Sequence, residues 1–211
     1  MLFTDRFDAA LKLMPCLRNY KNQKAIIYAV PGGGVPIGYY LAKDYNLPME
    51  LLLSKRITHP ENGLAIGAVN LKDYFIEKRA NVPASFIKSE IQKIRKFLKE
   101  RHEKFMYGHT AADAKGKIVF LVDDGAATGS TLLAAISQLK EKNPKKIVIA
   151  IPVAPECTIK ILTQEVDQVI CLKTLKSVTR VGNNYLNYSQ VSDREIYQLL
   201  NASNENRSIA A

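Results

Sequence analysis

Residues 118–131 read IVFLVDDGAATGST, and this stretch decides the fold class. Its first part, Ile118 to Val122, is a short and continuous apolar run. Such a run is typical of a strand buried on both faces of a parallel sheet. Residues 131–142 then place Leu132 and Ile136 on one face, which predicts a helix. The stretch therefore predicts a strand, a loop and a helix in succession.

The same alternation continues on both sides of this stretch. Helical patterns at residues 35–45 and 157–164 separate further apolar runs, which lie at residues 25–30, 49–53, 147–151 and 166–172. Strands and helices in alternation predict an α/β fold with a mainly parallel central sheet flanked by helices. In such sheets, ligands bind beyond the carboxyl ends of the strands.

The segment between residues 56 and 117 departs from this pattern. It contains a possible strand at residues 65–69 and a long amphipathic helix at about residues 84–107. The apolar stripe of this helix consists of Ile87, Ile91, Ile94 and Leu98, and the basic residues of its other face are Lys88, Lys93, Lys96, Lys99 and Lys104. We interpret the basic face as solvated, with a nucleic-acid surface as the alternative.

Composition limits the class of protein. With 211 residues, of which 47% are hydrophobic, the chain can fill one domain, which we place at residues 1–200. Residues 201–211 are polar and predict a flexible tail. No signal peptide or membrane span is recognisable, and three widely spaced cysteines fit a reducing compartment, so we expect a cytoplasmic protein without a membrane partner.

The net charge of +10 raises the chance of a polyanionic partner. A phosphate-rich small ligand and nucleic acid are both compatible with this charge, and so is a basic surface that binds neither. Nucleic acid is the less favoured of the two ligands, because no basic stripe interleaved with exposed aromatic residues is recognisable.

The loop after residue 122 suits a sugar phosphate. The small residues of 125–131 let backbone amides approach a phosphate, and the helix that follows adds positive potential at its start. Asp123 and Asp124 would repel a phosphate alone, but they suit a ligand with vicinal hydroxyls and can lie near Mg²⁺. The stretch lacks the lysine of the P-loop and the spacing of the dinucleotide fingerprint.

At these residues the sequence resembles the type I phosphoribosyltransferases. Their substrate loop follows an apolar strand with two acidic residues, a short linker and a Thr-Gly-x-Thr motif, and Asp123-Asp124 with Thr128-Gly129-Ser130-Thr131 match it. The resemblance implies a small hood beside the parallel sheet and binding of 5-phosphoribosyl-1-pyrophosphate (PRPP). The ligand-binding residues it implies on this loop are Asp123, Asp124, Gly125, Ala126, Ala127, Thr128, Gly129, Ser130 and Thr131.

The resemblance extends to two further segments. The family binds pyrophosphate on a loop after its first strand, and the matching residues here are Pro31, Gly32, Gly33 and Gly34. It also places a basic residue after the next strand, where this chain has Lys55 and Arg56. One departure is that Gly125-Ala126 replace the aliphatic residues that often pack under the base.

The chain also resembles, over most of residues 1–200, a little-characterised bacterial subgroup of phosphoribosyltransferase-like proteins. Shared segments are Ser54-Lys55-Arg56, His59-Pro60, residues 65–69 and residues 188–193. Gly63 stands where subgroup members often carry an acidic residue.

The resemblance implies an enzyme that transfers phosphoribose to a nitrogen nucleophile and releases pyrophosphate. Its implied catalytic residues are Lys55, Arg56, Asp123 and Asp124, with Mg²⁺ as cofactor and a homodimer as the assembly. The base pocket would be built from a hood formed by residues 180–188 and the N-terminal segment. A sensor that binds ribose phosphate and regulates gene expression through RNA or DNA is the second hypothesis. Hydrolysis or phosphorolysis of a ribose phosphate is the third.

Overall fold

The central sheet of the computed structural model has five parallel strands, and the structure describes residues 2–63, 65–76, 81–106 and 112–208. The strands are β1 (Ala25–Ala29), β2 (Met49–Leu51), β6 (Ile118–Val122), β7 (Lys146–Pro155) and β8 (Gln168–Leu175), in the order β2-β1-β6-β7-β8. All five were predicted from the apolar runs. The predicted fold class, an α/β fold with a mainly parallel sheet flanked by helices, is confirmed.

Helices cover both faces of this sheet. They are α1 (Arg6–Leu13), α2 (Gly34–Tyr45), α3 (Ala84–Met106), α4 (Ser130–Lys140), α5 (Glu156–Thr163) and α6 (Asp193–Ser208). Side chains alternate along β1, so that Ile27 belongs to one apolar core and Ile26 to the other. Because each strand is buried on both sides, its sequence is largely apolar without alternation.

A second sheet has three antiparallel strands, β3 (Ser54–Thr58), β4 (Ala65–Asn70) and β5 (Tyr74–Ile76). The strand predicted at residues 65–69 is confirmed as β4, whereas the sequence analysis missed β3 and β5. Lys55 and Arg56 follow β2, as expected, and they lie within β3.

Helix α3 confirms the amphipathic pattern of residues 84–106, and residue 107 lies outside the described part. Ile91, Ile94 and Leu98 are buried, and the helix packs on β3 and β4. The lysines of the basic face lie largely in solvent. Hence α3 rests on the small sheet with its apolar stripe, while the lysines of the basic face are exposed.

Residues 201–208, which the sequence analysis assigned to a flexible tail, continue α6. Residues 209–211 lie outside the described part. Ile196 and Leu200, four residues apart, are fully buried on one side of α6 and anchor it to the core. Asp193 at the helix start pairs with Arg101 at 2.6 Å and with Lys104 at 3.0 Å. The sequence analysis relied on the polar composition of residues 201–211 and did not recognise that α6 begins at Asp193 and is held to the core by Ile196 and Leu200.

Across the described ranges, none of the helices combines the length and the apolar character needed to cross a membrane.

Candidate functional site

A cleft of about 360 Å³ lies beyond the carboxyl end of β6. Its lining residues come from β3, from the loop after β6 with the start of α4, and from the hood segment; they are Arg56, Asp123 to Leu132, Arg180, Val181, Gly182 and Tyr188. The entire predicted substrate loop therefore lines one cleft. Parallel strands place their following loops at one edge of the sheet, which explains why this loop and the hood meet there.

The start of α4 forms an anion cradle at one end of the cleft. Gly129 precedes the helix with a φ of 79°, and no side chain caps the first amides. Those amides have no acceptor within the helix and carry positive potential. The hydroxyls of Thr128 and Ser130 lie 3.0 Å apart beside them, and Thr158 donates a 2.6 Å hydrogen bond to the Ala127 carbonyl. Fixed donors of this kind suit a phosphate.

Gly125 lies where the chain passes under the hood. Its φ is 152°, and a Cβ built there would approach Val181 Cγ1 to 2.7 Å and Val153 Cγ1 to 2.8 Å. The next residue, Ala126, donates its amide to the Val153 carbonyl at 2.9 Å. Val153 and Val181 therefore occupy the space that a side chain at position 125 would fill, which accounts for glycine at this departure from the family pattern.

Changing Gly125 to Ala should destabilise the protein by about 1–3 kcal/mol, since the new methyl group must displace two packed valines in an unfavourable backbone conformation. Thermal unfolding measures this, with Gly116→Ala as control. Gly116 also has a positive φ, of 69°, but a Cβ there would meet no atom within 4 Å. Equal losses in the two variants would attribute the effect to the backbone and contradict the packing account.

Asp123 lies at the other end of the cleft and accepts the Asp124 amide on Oδ1 at 2.8 Å. The residue is partly buried. Burial, followed by the nearby Asp124 carboxylate, raises the pKa of Asp123 well above its usual 3.8, and Arg56 opposes the rise. Asp123 is thus a carboxylate short of positive partners, as expected of a group that receives a cation or a hydroxyl donor.

Asp124 is held by a residue that the sequence analysis missed. Both Nε and Nη2 of Arg6 lie 2.9 Å from Asp124 Oδ2. The Arg6 and Asp124 side chains are only 11% and 9% exposed, so this ion pair is buried. Arg6 is 118 positions away along the chain, and no local pattern links the two residues.

The glycine loop predicted to bind pyrophosphate lies directly behind Asp124. A Cβ on Gly33 would stand 1.6 Å from Asp124 Oδ2, and one on Gly34 would stand 2.5 Å from the Val122 carbonyl. Both glycines are needed for this close approach. Among the described residues that line the cleft, none comes from Pro31, Gly32, Gly33 or Gly34.

Lys55 and Arg56 point to different places. Arg56 lines the substrate cleft. Lys55 Nζ lies 4.2 Å from the centre of the Phe97 ring, in a neighbouring cleft between β3 and α3 that Arg56 also lines. Of these two basic residues, Arg56 and not Lys55 is among the described residues that line the substrate cleft.

The N-terminal segment and residues 180–188, which the sequence analysis named as the hood, contact each other in the structure. The Phe3 amide donates to the Asn184 carbonyl at 2.9 Å, and the Leu186 amide donates to the Phe3 carbonyl at 2.8 Å. The Tyr185 hydroxyl donates to the Asp124 carbonyl at 2.6 Å. These bonds fasten the hood to the loop that carries the two carboxylates.

Comparison of the chain with known protein families agrees with this geometry. A family model described as a phosphoribosyl transferase domain matches residues 12–181. The chain belongs to the phosphoribosyl transferase family.

Relatives of this phosphoribosyl transferase domain support the assignment. The protein TT1426 of Thermus thermophilus has a crystal structure that is 28% identical, with a TM-score of 0.81 over 95% of this chain and 98% of that one. A Mycobacterium tuberculosis protein, provisionally named a phosphoribosyl transferase, is 30% identical over 94% of this chain. The chain spans 46% of that relative's length. The AQ2163 protein of Aquifex aeolicus shares the fold, with a TM-score of 0.55 and 14% identity over 93% of this chain and 85% of that one.

Tyr188 is a further residue of the phosphoribosyl transferase cleft to which the sequence analysis gave no role beyond the hood. The Arg6 guanidinium carbon lies 4.3 Å from the centre of its ring. Burial and the nearby Asp124 raise the pKa of Tyr188 to about 12, so it is a neutral hydrogen-bonding group at physiological pH. An aromatic residue within a predicted hood segment is the signal that could have singled it out.

Proposed function

We propose that this domain transfers phosphoribose from PRPP to a nitrogen nucleophile, most simply a nucleobase, and releases pyrophosphate. The observation that carries the proposal is that one cleft holds an anion cradle at Ala127 to Thr131 and a carboxylate, Asp123, for which the described residues provide no ion-pair contact. A phosphate and vicinal hydroxyls on one ligand match these two features, and phosphoribose has both.

In this proposal the 5-phosphate lies on residues 127–131, where amides and hydroxyls converge. Asp123 accepts hydrogen bonds from the ribose hydroxyls and orients the sugar. The bond between C1 and the pyrophosphate oxygen breaks, and its electron pair leaves with pyrophosphate. A new bond forms between C1 and the acceptor nitrogen, which loses its proton to solvent or to a base.

Arg56 is the basic residue in position to compensate the charge that develops on pyrophosphate, because it lines the cleft beside Asp123. Lys55 remains a second candidate, which would have to leave the Phe97 ring. The glycine loop at residues 31–34 remains a candidate for the pyrophosphate's backbone contacts.

Mg²⁺ fits the acidic end of the cleft. Within the described ranges, no cluster of three or more His, Cys, Asp or Glu side chains could hold a metal ion, so substrate oxygens would complete its coordination. Asp123, with its raised pKa, is the carboxylate that a cation would relieve, and Asp124 is the second candidate. When bound, Mg²⁺ would neutralise charge on the pyrophosphate.

A ribose-phosphate sensor that binds RNA or DNA is the second candidate function. The exposed lysines along α3, together with the net charge of +10, favour it. Phosphate contacts with nucleic acid release counterions, so such binding would weaken steeply with salt.

A single assay separates the two functions. The protein is incubated with PRPP, Mg²⁺ and each member of a panel of purines, pyrimidines and small amines, and pyrophosphate release is measured. Release that depends on one acceptor supports the transferase. PRPP binding without release for any acceptor, combined with a salt-sensitive RNA or DNA mobility shift, would replace the transferase by the sensor.

We also propose a homodimer in the cytoplasm. Phe7 and Leu11 are 46% and 45% exposed on α1 and offer an apolar face for self-association. Cys16, Cys157 and Cys171 are all free thiols, as a reducing compartment allows. Sedimentation velocity would give a mass near twice 23.6 kDa for the dimer, and a mass near 23.6 kDa would exclude it.

A further inference from the structure

The two adjacent carboxylates of the cleft have different surroundings. Asp124 Oδ2 accepts a hydrogen bond from Arg6 Nε and forms an ion pair with Arg6 Nη2, whereas Asp123 accepts the Asp124 amide and lies near Arg56 without an ion-pair contact to it. Two adjacent aspartates would be expected to bind the same part of a ligand. The different contacts of Asp123 and Asp124 indicate that the two residues have different roles.

Arg6 is itself fixed on several sides. Its Nη1 donates to the Ser189 carbonyl at 2.8 Å, and its guanidinium lies against the Tyr188 ring. A Cβ on Gly33 would also lie 2.8 Å from Arg6 Nε, so the glycine loop closes the remaining side. An arginine with a planar set of donors suits this position better than a lysine, because it binds the carboxylate and the carbonyl at once.

Asp124 is fixed equally well through its backbone. Its carbonyl accepts the Tyr185 hydroxyl, and Tyr185 pairs with the N-terminal segment at Phe3. The Arg6–Asp124 pair therefore joins α1, the substrate loop and the hood at one buried point. A ribose hydroxyl at Asp124 Oδ2 would compete with the largely buried Arg6 for that oxygen and weaken the ion pair.

We propose that Arg6 is a positioning residue that reserves Asp124 as the anchor of the hood and leaves Asp123 as the carboxylate of the pair that binds the ribose. This inference rests on the proposed function, because it divides the work of two residues within that substrate site. In this inference the Arg6–Asp124 ion pair holds the hood in place, and thereby also shapes the acceptor pocket that the hood would form.

A set of four variants tests the division: Arg6→Gln, Asp124→Asn, the double variant carrying both changes, and Asp123→Asn. Each single change at the pair leaves one buried charge alone and should lower the melting temperature by about 6 °C or more. The double variant replaces the ion pair by two amides that can hydrogen-bond to each other. We expect it to recover at least half of that loss, which also provides a folded protein without the Asp124 charge.

Binding of PRPP with Mg²⁺ is then measured by calorimetry on the double variant and on Asp123→Asn. Asp123→Asn should lose at least about tenfold of the PRPP affinity, and the double variant should lose clearly less than Asp123→Asn, because in this inference Asp123 carries the ribose contact and the Arg6–Asp124 pair holds the hood. In the double variant the KM for the acceptor should rise more than the KM for PRPP, a split that general loss of stability would not produce.

Two results would overturn the inference. One is a double variant that is folded and loses PRPP affinity as strongly as Asp123→Asn. The other is additive losses of melting temperature, which would mean that Arg6 and Asp124 are not coupled. If the wild type does not bind PRPP, the proposed function is contradicted. The melting temperatures of the wild type, the two single variants and the double variant would still show whether Arg6 and Asp124 are coupled.

Discussion

Replacing Arg56 by Ala is expected to lower kcat/KM by roughly a hundredfold or more, since contacts that compensate developing charge are worth about 2–4 kcal/mol in the transition state. Arg56 is a basic residue of the cleft that lies close to Asp123, and β3 holds it at the opening. Its charge should act mainly as pyrophosphate departs, so kcat should fall more than the affinity for PRPP. Steady-state kinetics and calorimetry on the same variant measure the two quantities.

The neighbouring Lys55 supplies the matched control. Lys55→Ala removes the same charge from the same strand, but its ammonium lies over Phe97 in the adjacent cleft. We expect this variant to change kcat/KM by less than about tenfold, since screened charges outside the cleft have modest effects. A larger loss in Lys55→Ala than in Arg56→Ala would mean that β3 presents the other side chain to the substrate.

The second large effect concerns Asp123→Asn, which should stabilise the free protein while abolishing most of its ligand affinity. The folded state raises the pKa of Asp123 above its usual 3.8 through burial and the Asp124 charge. A raised carboxyl pKa means that the folded protein holds a proton which the unfolded chain releases. Stability from this group is therefore present below pH 3.8 and is lost as the pH rises through the raised pKa.

At pH 7, above the usual pKa of 3.8, the wild type carries a stability penalty from this carboxyl and the Asn variant carries none. We expect the melting temperature of Asp123→Asn to exceed that of the wild type by at least about 2 °C at pH 7, because 1 kcal/mol shifts a domain of this size by roughly 2–4 °C. The difference in melting temperature should shrink as the pH falls towards about 4.

The affinity of Asp123→Asn for PRPP with Mg²⁺ should drop at least about tenfold, or 1.4 kcal/mol. A variant less stable than the wild type at pH 7 would show that Asp123 has a structural partner.

The parallel sheet was predictable because its signal is local. Each strand is buried on both faces, so five runs of consecutive apolar residues mark it, and Ile118 to Val122 coincides with β6 at both ends. The substrate loop was predictable for a related reason. Its small residues, hydroxyls and acids are contiguous, and their chemistry can be read without knowing what surrounds them.

Contacts between residues that are distant along the chain could not be predicted from the sequence. Arg6 meets Asp124 because α1 lies beside the substrate loop, and nothing near Arg6 in the sequence indicates a carboxylate partner. Gly125 stands out as a departure from the family pattern, and only the positions of Val153 and Val181 beside it explain why. The small sheet was missed in part because β3 begins Ser-Lys-Arg and β5 has only three residues, so neither carries a strong alternating pattern.

The central claim is that a ribose phosphate binds at the start of α4, and a change of Thr131 to Asp tests it most directly. An acidic residue in the first turn of a helix favours the helix, so the fold should keep its wild-type melting temperature or gain slightly. The same carboxylate would stand in the anion cradle and repel the phosphate. In a calorimetric titration with PRPP and Mg²⁺, we predict saturable binding at one site per wild-type chain and at least about a hundredfold weaker binding to Thr131→Asp, or 2.7 kcal/mol. Equal affinities for the two proteins, or no binding to the wild type, would contradict the account.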